Sequence, residues 1–259
     1  MIGIHVPLSF DLKLLDEYPE VKGVQFTFPS PCRNVQSMFK SIAKLVDTYH
    51  TEGYFVSIHA PFWINVCNYN RRVLFKNSIR MLNDLGNLGA DYVVTHVGCY
   101  YPRDEFKQEA IPSELFRESL ELLRQSYTGK TRLLLENTSG NSLNSDPGML
   151  KTLLELKTPE IGICVDTCHL YTGEGLLLTE FNVEDFDMVH LNPIPEKHRA
   201  CSHRDRHGGY SLTDCLQLDK LAYVNLVNRF SEKPVILENN DVSLSFKSIE
   251  YLRGSKEER

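Results

Sequence analysis

The chain has 259 residues, 24% of them charged and 42% hydrophobic, and a formal net charge of −6. That length can bury a full-sized core, the composition is that of an ordinary globular protein, and the acidic balance excludes a protein that coats nucleic acid through bulk positive charge. No apolar run approaches the roughly 18 residues of a spanning helix, and the N-terminal MIGIHVPL has no basic region followed by an apolar one, so neither a membrane span nor a secretion signal is expected. The absence of a Pro/Gly/Ser-rich linker points to a single domain over 1–255, followed by a charged tail at 256–259. The seven cysteines are an odd number without a CxxC pair, which fits free thiols in a reducing compartment, cytoplasm or nucleus. Cys164 is expected as a small buried hydrophobe rather than a zinc ligand.

In chain order, strand-like runs alternate with helix-like ones. Ile2 to Val6, Gly23 to Phe28 and Tyr54 to His59 read as strands, with a helical stripe of Met38, Ile42, Leu45, Val46 and Tyr49 between the last two. A helix carrying Leu74, Met81, Leu82, Leu85 and Leu88 leads to a strand at Tyr92 to His96. One carrying Leu115, Phe116, Leu120 and Leu123 leads to Arg132 to Glu136, and Met149, Leu150, Leu153 and Leu154 precede Ile161 to Asp166. Asp187 to Leu191 and Pro234 to Glu238 complete the series, separated by a helix with Leu221, Val224 and Val227. Eight strands alternating with helices over this length predict a closed (β/α)8 TIM barrel. A doubly wound open sheet would call for a glycine-rich phosphate turn after the first strand, where the chain has Val6-Pro7-Leu8.

Strand phase locates the chemistry. One face of each strand is apolar: Ile4, Val24, Ile58, Val93, Leu135, Val165, Leu191 and Leu237 are examples. The opposite face ends in His5, Gln25, His59, His96, Glu136, Asp166, His190 and Glu238. A barrel aims these at one another at the C-terminal mouth, where such enzymes keep their active sites. Converging imidazoles and carboxylates must pair, hydrogen-bond or bind metal, and the set suits Zn2+, Mn2+ or Fe2+. His169, just past the sixth strand in GICVDTCH, adds a further imidazole.

These segments resemble the endonuclease IV family of apurinic/apyrimidinic endonucleases. The resemblance runs from IGIHV through IHAPFWIN, THVG, LLENTSG, GICVDTCH, VHLN and RDRH to ILEN. It implies a (β/α)8 barrel with three zinc ions, Mn2+ or Fe2+ being alternatives at part of the site. One ion is expected on His59, His96 and Glu136. A second is expected on Glu136, Asp166, His190 and Glu238, and a third on His169, Asp205 and His207. The implied activity is hydrolysis of the phosphodiester 5′ to an abasic site in double-stranded DNA, leaving a 3′-hydroxyl, by a monomer in which Glu136 and Glu238 also steady the attacking hydroxide. Arg33, Phe62 and Trp63 match the positions of the residues that wedge into DNA. The chain departs from the family pattern at Val97, at Pro193, at Gly208-Gly209-Tyr210 and at Asn239-Asn240, which bears on ligand orientation and DNA contact. Two other functions are compatible with such a barrel. A sugar isomerase or epimerase uses fewer metals and has no need of His169, Asp205 and His207, and a non-catalytic DNA-damage-binding protein would be marked by a lost ligand.

Overall fold

The computed structural model describes residues 1–29, 34–98, 111–137, 148–169, 182–193, 209–214 and 217–257. The strands are β1 (Ile2–His5), β2 (Val21–Thr27), β3 (Phe55–His59), β4 (Tyr92–His96), β5 (Arg132–Glu136), β6 (Ile161–Asp166), β7 (Met188–Leu191) and β8 (Val235–Leu237). Each pairs in parallel with the next, and β1 pairs with β8, so the sheet closes in sequence order. The expected (β/α)8 barrel is the observed fold.

Strand ends differ from the sequence reading for local reasons. β2 begins before Gly23, and that glycine leaves room inside the barrel: a Cβ there would strike the Phe55 ring. β8 starts after Pro234, which has no N–H to give the ladder, and stops at Leu237, where the next bond, from Glu238 N to Leu191 O, stretches to 3.4 Å.

Outside the barrel run α1 (Val35–Thr51), α2 (Arg72–Leu85), α3 (Ser113–Ser126), α4 (Gly148–Glu155), α5 (Gln217–Arg229) and α6 (Val242–Glu257). Asn34 caps α1, its side-chain oxygen accepting the Ser37 N–H at 3.0 Å. The helical stripe of α1 is buried at Ile42, Val46 and Tyr49. Leu88 falls beyond the end of α2, packing on the core from a turn in which Gly89 takes φ +87°. The last helix reaches Glu257, inside the stretch read as a tail; residues 258–259 lie outside the described residues.

Two apolar layers result. The outward strand residues, Ile4, Val24, Ile58, Val93, Leu135, Val165, Leu191 and Leu237 among them, are buried in a continuous layer shared with the helices. Inside the barrel Val94, Leu134, Cys164, Met188 and Ile236 form a separate plug flanked by Phe55 and Tyr92. Cys164 is therefore the small interior hydrophobe its strand phase implied. Below, Asp187 accepts the Ile163 N–H at 2.9 Å and pairs with Arg132 and Lys157, each at 3.0 Å. The plug closes the interior from beneath, so the polar strand ends can meet only at the other mouth.

Candidate metal centre

The two-residue strand period brings His59, His96, Glu136, Asp166 and His190 to the ends of β3 to β7, and Glu238 follows β8 directly. Strand register sets them side by side: His96 lies opposite Glu136, and Asp166 opposite His190. Glu136, Asp166 and His190 are fully buried, and His59 and Glu238 nearly so.

Glu136 is the centre of this arrangement. Its Oε2 lies 3.0 Å from His59 Nε2 and 3.3 Å from His96 Nε2, and its Oε1 lies 3.1 Å from His190 Nδ1. His190 Nδ1 is also 3.2 Å from Glu238 Oε2. Backbone carbonyls determine which ring nitrogens carry hydrogen, since a carbonyl can only accept. His59 Nδ1 donates to Ala60 O at 2.9 Å, so its Nε2 faces Glu136. His169 Nδ1 donates to Asn137 O at 2.7 Å, and its backbone N–H donates to Asp166 Oδ1 at 2.7 Å.

Charge and burial compete here. Burial alone would raise the Glu136 carboxyl, but the imidazoles of His190, His96 and His59 override it and hold the group well below the ordinary carboxylate range. Burial works against a proton on His190, and the acidic groups around it, Cys164, Glu238 and Glu136, outweigh that and carry it well above the usual imidazole value. For His96 burial prevails over the attraction of Glu136 and lowers the value. Burial likewise pushes the Cys164 thiol up to about 12.

Three carboxylates converging out of water favour cations among them. The ligand atoms of His59, His96 and Glu136 lie within 4.8 Å of one another, as do those of Glu136, Asp166, His190 and Glu238, and those of His59, His190 and Glu238. Each group could hold a metal ion. The first two are the sets drawn from the sequence, with Glu136 common to both. His96 Nε2 is buried and meets hydrogen-bond geometry with nothing among the described residues, as a nitrogen awaiting an ion would. His169 joins none of these groups, and Asp205, His207 and Arg33 lie outside the described residues.

A cavity of ≈ 250 Å³ opens over the cluster, lined by His5, Thr27, His59, Phe62, His96, Glu238 and Asn240. His5 reaches the mouth as expected but hydrogen-bonds with Thr27 Oγ1 at 3.1 Å and enters none of the three groups. Phe62 is 71% exposed, its ring centroid 5.7 Å from those of His59 and His96, and Trp63 is 40% exposed. Neither packs as a core residue.

Several supporting residues carry no evident role in the sequence. The Gln25 amide donates to Glu238 Oε1 at 3.1 Å, while its oxygen accepts from Ser57 and from His190 Nε2, each at 3.0 Å. Its inward phase on β2 is the available signal. Asn192 donates through Nδ2 to Asp166 Oδ2 and, at 3.3 Å, to Glu238 Oε2. Asn239, at a departure from the family pattern, donates to Tyr210 O at 2.7 Å and accepts from Ser245 at 3.0 Å. Val97 is fully buried. The departures at Val97 and Asn239 thus fill structural places around the ligands.

Fold and site define a (β/α)8 barrel with a buried histidine–carboxylate centre at its mouth, able to hold metal ions. The chain belongs to the family of xylose isomerase-like TIM barrels, which matches residues 19–244. It is 28% identical over 270 residues to a probable endonuclease 4 of Carboxydothermus hydrogenoformans, covering 92% of this chain and 90% of the relative. It is 26% identical over 231 residues to a probable endonuclease 4 of Mycoplasma genitalium, covering 80% and 74%. These relatives bear out the resemblance to endonuclease IV. Among solved structures, endonuclease IV from Thermus thermophilus superposes with a TM-score of 0.65 at 20% identity, covering 100% and 99% of the two chains. A D-tagatose 3-epimerase-like protein superposes with a TM-score of 0.63 at 18% identity, covering 99% and 97%. At such identities the superpositions speak for the fold. No helix among the described residues is long and apolar enough to cross a membrane.

Proposed function

We propose that this chain is a zinc-dependent apurinic/apyrimidinic endonuclease, hydrolysing the phosphodiester 5′ to an abasic site and leaving a 3′-hydroxyl. The observation that carries the proposal is the pair of ligand groups sharing Glu136, one with His59 and His96, the other with Asp166, His190 and Glu238. Full-length similarity to probable endonucleases 4 supports the same reading.

Divalent ions bound there would supply Lewis acidity toward phosphoryl oxygens and make water nucleophilic near neutral pH. Glu136 bridges the two groups through its two oxygens, each already facing different imidazoles. Glu238 lies at the cavity wall beside the place a scissile phosphate would occupy, held by Gln25 and Asn192 so that its carboxylate can orient an attacking water. His169, with Asp205 and His207, is assigned to a third ion. Phe62 and Trp63, exposed in the loop after β3, offer ring faces to stack against the gap left by the missing base, and Arg33 is assigned to the same task.

The test is to incubate the protein with a duplex carrying an abasic analogue, and separately with a panel of ketoses, before and after chelation. Incision that chelation abolishes and zinc restores is the expected result, with about three zinc ions per chain in freshly purified protein. Ketose turnover without incision would select the epimerase reading instead. Glu238→Ala is expected to abolish incision while leaving the circular dichroism spectrum native; near-normal cleavage by this variant would sink the assignment.

A further inference from the structure

The net charge of −6 conceals a strong segregation. The stretches 21–46 and 53–83, which hold β2 with most of α1 and β3 with most of α2, contain eight Lys and Arg residues and no Asp or Glu. With 28 cations and 34 carboxylates in the chain, the remainder is left with 20 against 34. An acidic chain that clears carboxylates from most of two consecutive β/α units has a concentrated positive face.

The structure puts that charge on one side of the barrel. α1 and α2 follow the adjacent strands β2 and β3, and each begins at the mouth end. Lys40 and Lys44 stand four residues apart on α1, and Arg72, Lys76 and Arg80 four residues apart on α2, so each set forms a row with neighbours about 6 Å apart along its helix. All five side chains are exposed, and none pairs with a carboxylate among the described residues. The acidic residues of these helices, Asp47 and Asp84, lie at the far ends from the mouth. The row on α2 starts in continuity with the loop that presents Phe62 and Trp63.

We infer that the mouth-side two-thirds of α1 and α2 form a cationic ridge that takes the phosphate backbone of duplex DNA flanking the cleavage site, Lys40, Lys44, Arg72, Lys76 and Arg80 making the contacts. The inference rests on the endonuclease reading and deepens it: it names the side of the barrel over which the duplex leaves the cavity. Nucleic acid is the occupant that fits, because regularly spaced, unpaired cations beside exposed aromatic rings match a repeating polyanion that carries stackable bases. The ridge carries no sequence information, so it holds damaged and intact duplex alike and brings the cavity to the lesion by sliding.

The test compares the triple variant Arg72→Glu, Lys76→Glu, Arg80→Glu with a control triple variant on other faces, Lys13→Glu, Lys151→Glu, Lys247→Glu. Binding of a fluorescent duplex of about 30 base pairs without a lesion, followed by anisotropy across a salt series, is the readout. The expected result is a log–log salt slope shallower by about 2–3 in the ridge variant than in the control, and duplex affinity lower by about tenfold or more. Equal slopes in the two variants would overturn the proposal, as would ridge-dependent binding to phosphatidylserine vesicles as tight as that to duplex. A wild-type protein that binds duplex through the ridge yet incises no abasic analogue would remove the endonuclease reading and leave the ridge standing.

Discussion

Asn137 and Asp166 tie β5 to β6 by a reciprocal pair of hydrogen bonds: the Asp166 N–H donates to Asn137 Oδ1 at 2.7 Å, and Asn137 Nδ2 donates to the Asp166 carbonyl at 3.2 Å. The Asn137 carbonyl also accepts from His169 Nδ1. One residue just past a strand end therefore sets the spacing among Glu136, Asp166 and His169. Asn137→Ala removes both side-chain bonds and leaves a buried N–H and carbonyl of Asp166 without these partners. The expected loss is about 1–3 kcal/mol of stability, read as a lowered midpoint in urea with an unchanged slope. A midpoint equal to wild type would show that the tie contributes nothing.

Gln25 holds His190, Glu238 and Ser57 through one amide. Gln25→Leu is expected to weaken zinc binding by about 10–100-fold, since residues that orient ligands typically carry that weight. Competition with a chromophoric chelator measures it directly. The variant is also expected to fold, because leucine nearly matches the volume of the buried amide; native circular dichroism with unchanged zinc affinity would contradict the orienting role.

Zinc itself should stabilise the chain. Removing metal leaves Glu136, Asp166 and Glu238 buried together, and re-adding zinc at about one hundred times its dissociation constant is expected to return about 2.7 kcal/mol per site. Calorimetry before and after chelation checks this, the expected sign being a higher melting temperature with zinc. No shift would count against ions at the cluster.

Cys164 gives a pH expectation of definite sign. Burial raises its thiol to about 12, above the value of about 8.5 for an unfolded cysteine. The neutral thiol is the form the fold prefers, so its contribution to stability is complete below about pH 8.5 and drains away as pH rises toward the folded value. Iodoacetamide at about pH 8.5 is accordingly expected to leave Cys164 unmodified in the native protein and to alkylate it in guanidinium, as peptide mass mapping would show.

Trp63 is the chain's single tryptophan, and it is partly exposed next to Phe62 of the cavity wall. Its emission should be quenched by duplex containing an abasic analogue and little changed by intact duplex. Phe62→Ala is expected to raise KM for abasic duplex more than it lowers kcat. Equal quenching by both duplexes would show that the indole does not sense the lesion.

Much of this architecture is legible one residue at a time. Alternation along Ile161 to Asp166 gives a strand and says which face carries the carboxylate, because successive side chains must point to opposite faces. Repeated over eight strands, the same rule places His59, His96, Glu136, Asp166, His190 and Glu238 at one barrel mouth. Less legible are Gln25, Asn137 and Asn192, whose side chains are ordinary in sequence and acquire their roles only from partners as distant along the chain as Glu238. The start of β2 is hidden because Gly23 reads as a break, whereas its missing side chain is the space filled by the Phe55 ring.

By itself, then, the sequence determined the barrel, the phase of its strands and the identity of the residues at its mouth, since these follow from local periodicity and from the order of β/α units. Only the tertiary structure decided which nitrogen of each histidine faces Glu136, that His5 turns to Thr27, and that Phe62 and Trp63 stand in solvent. Those outcomes depend on hydrogen-bond partners and burial supplied by other strands, and such through-space neighbours leave no period along the chain.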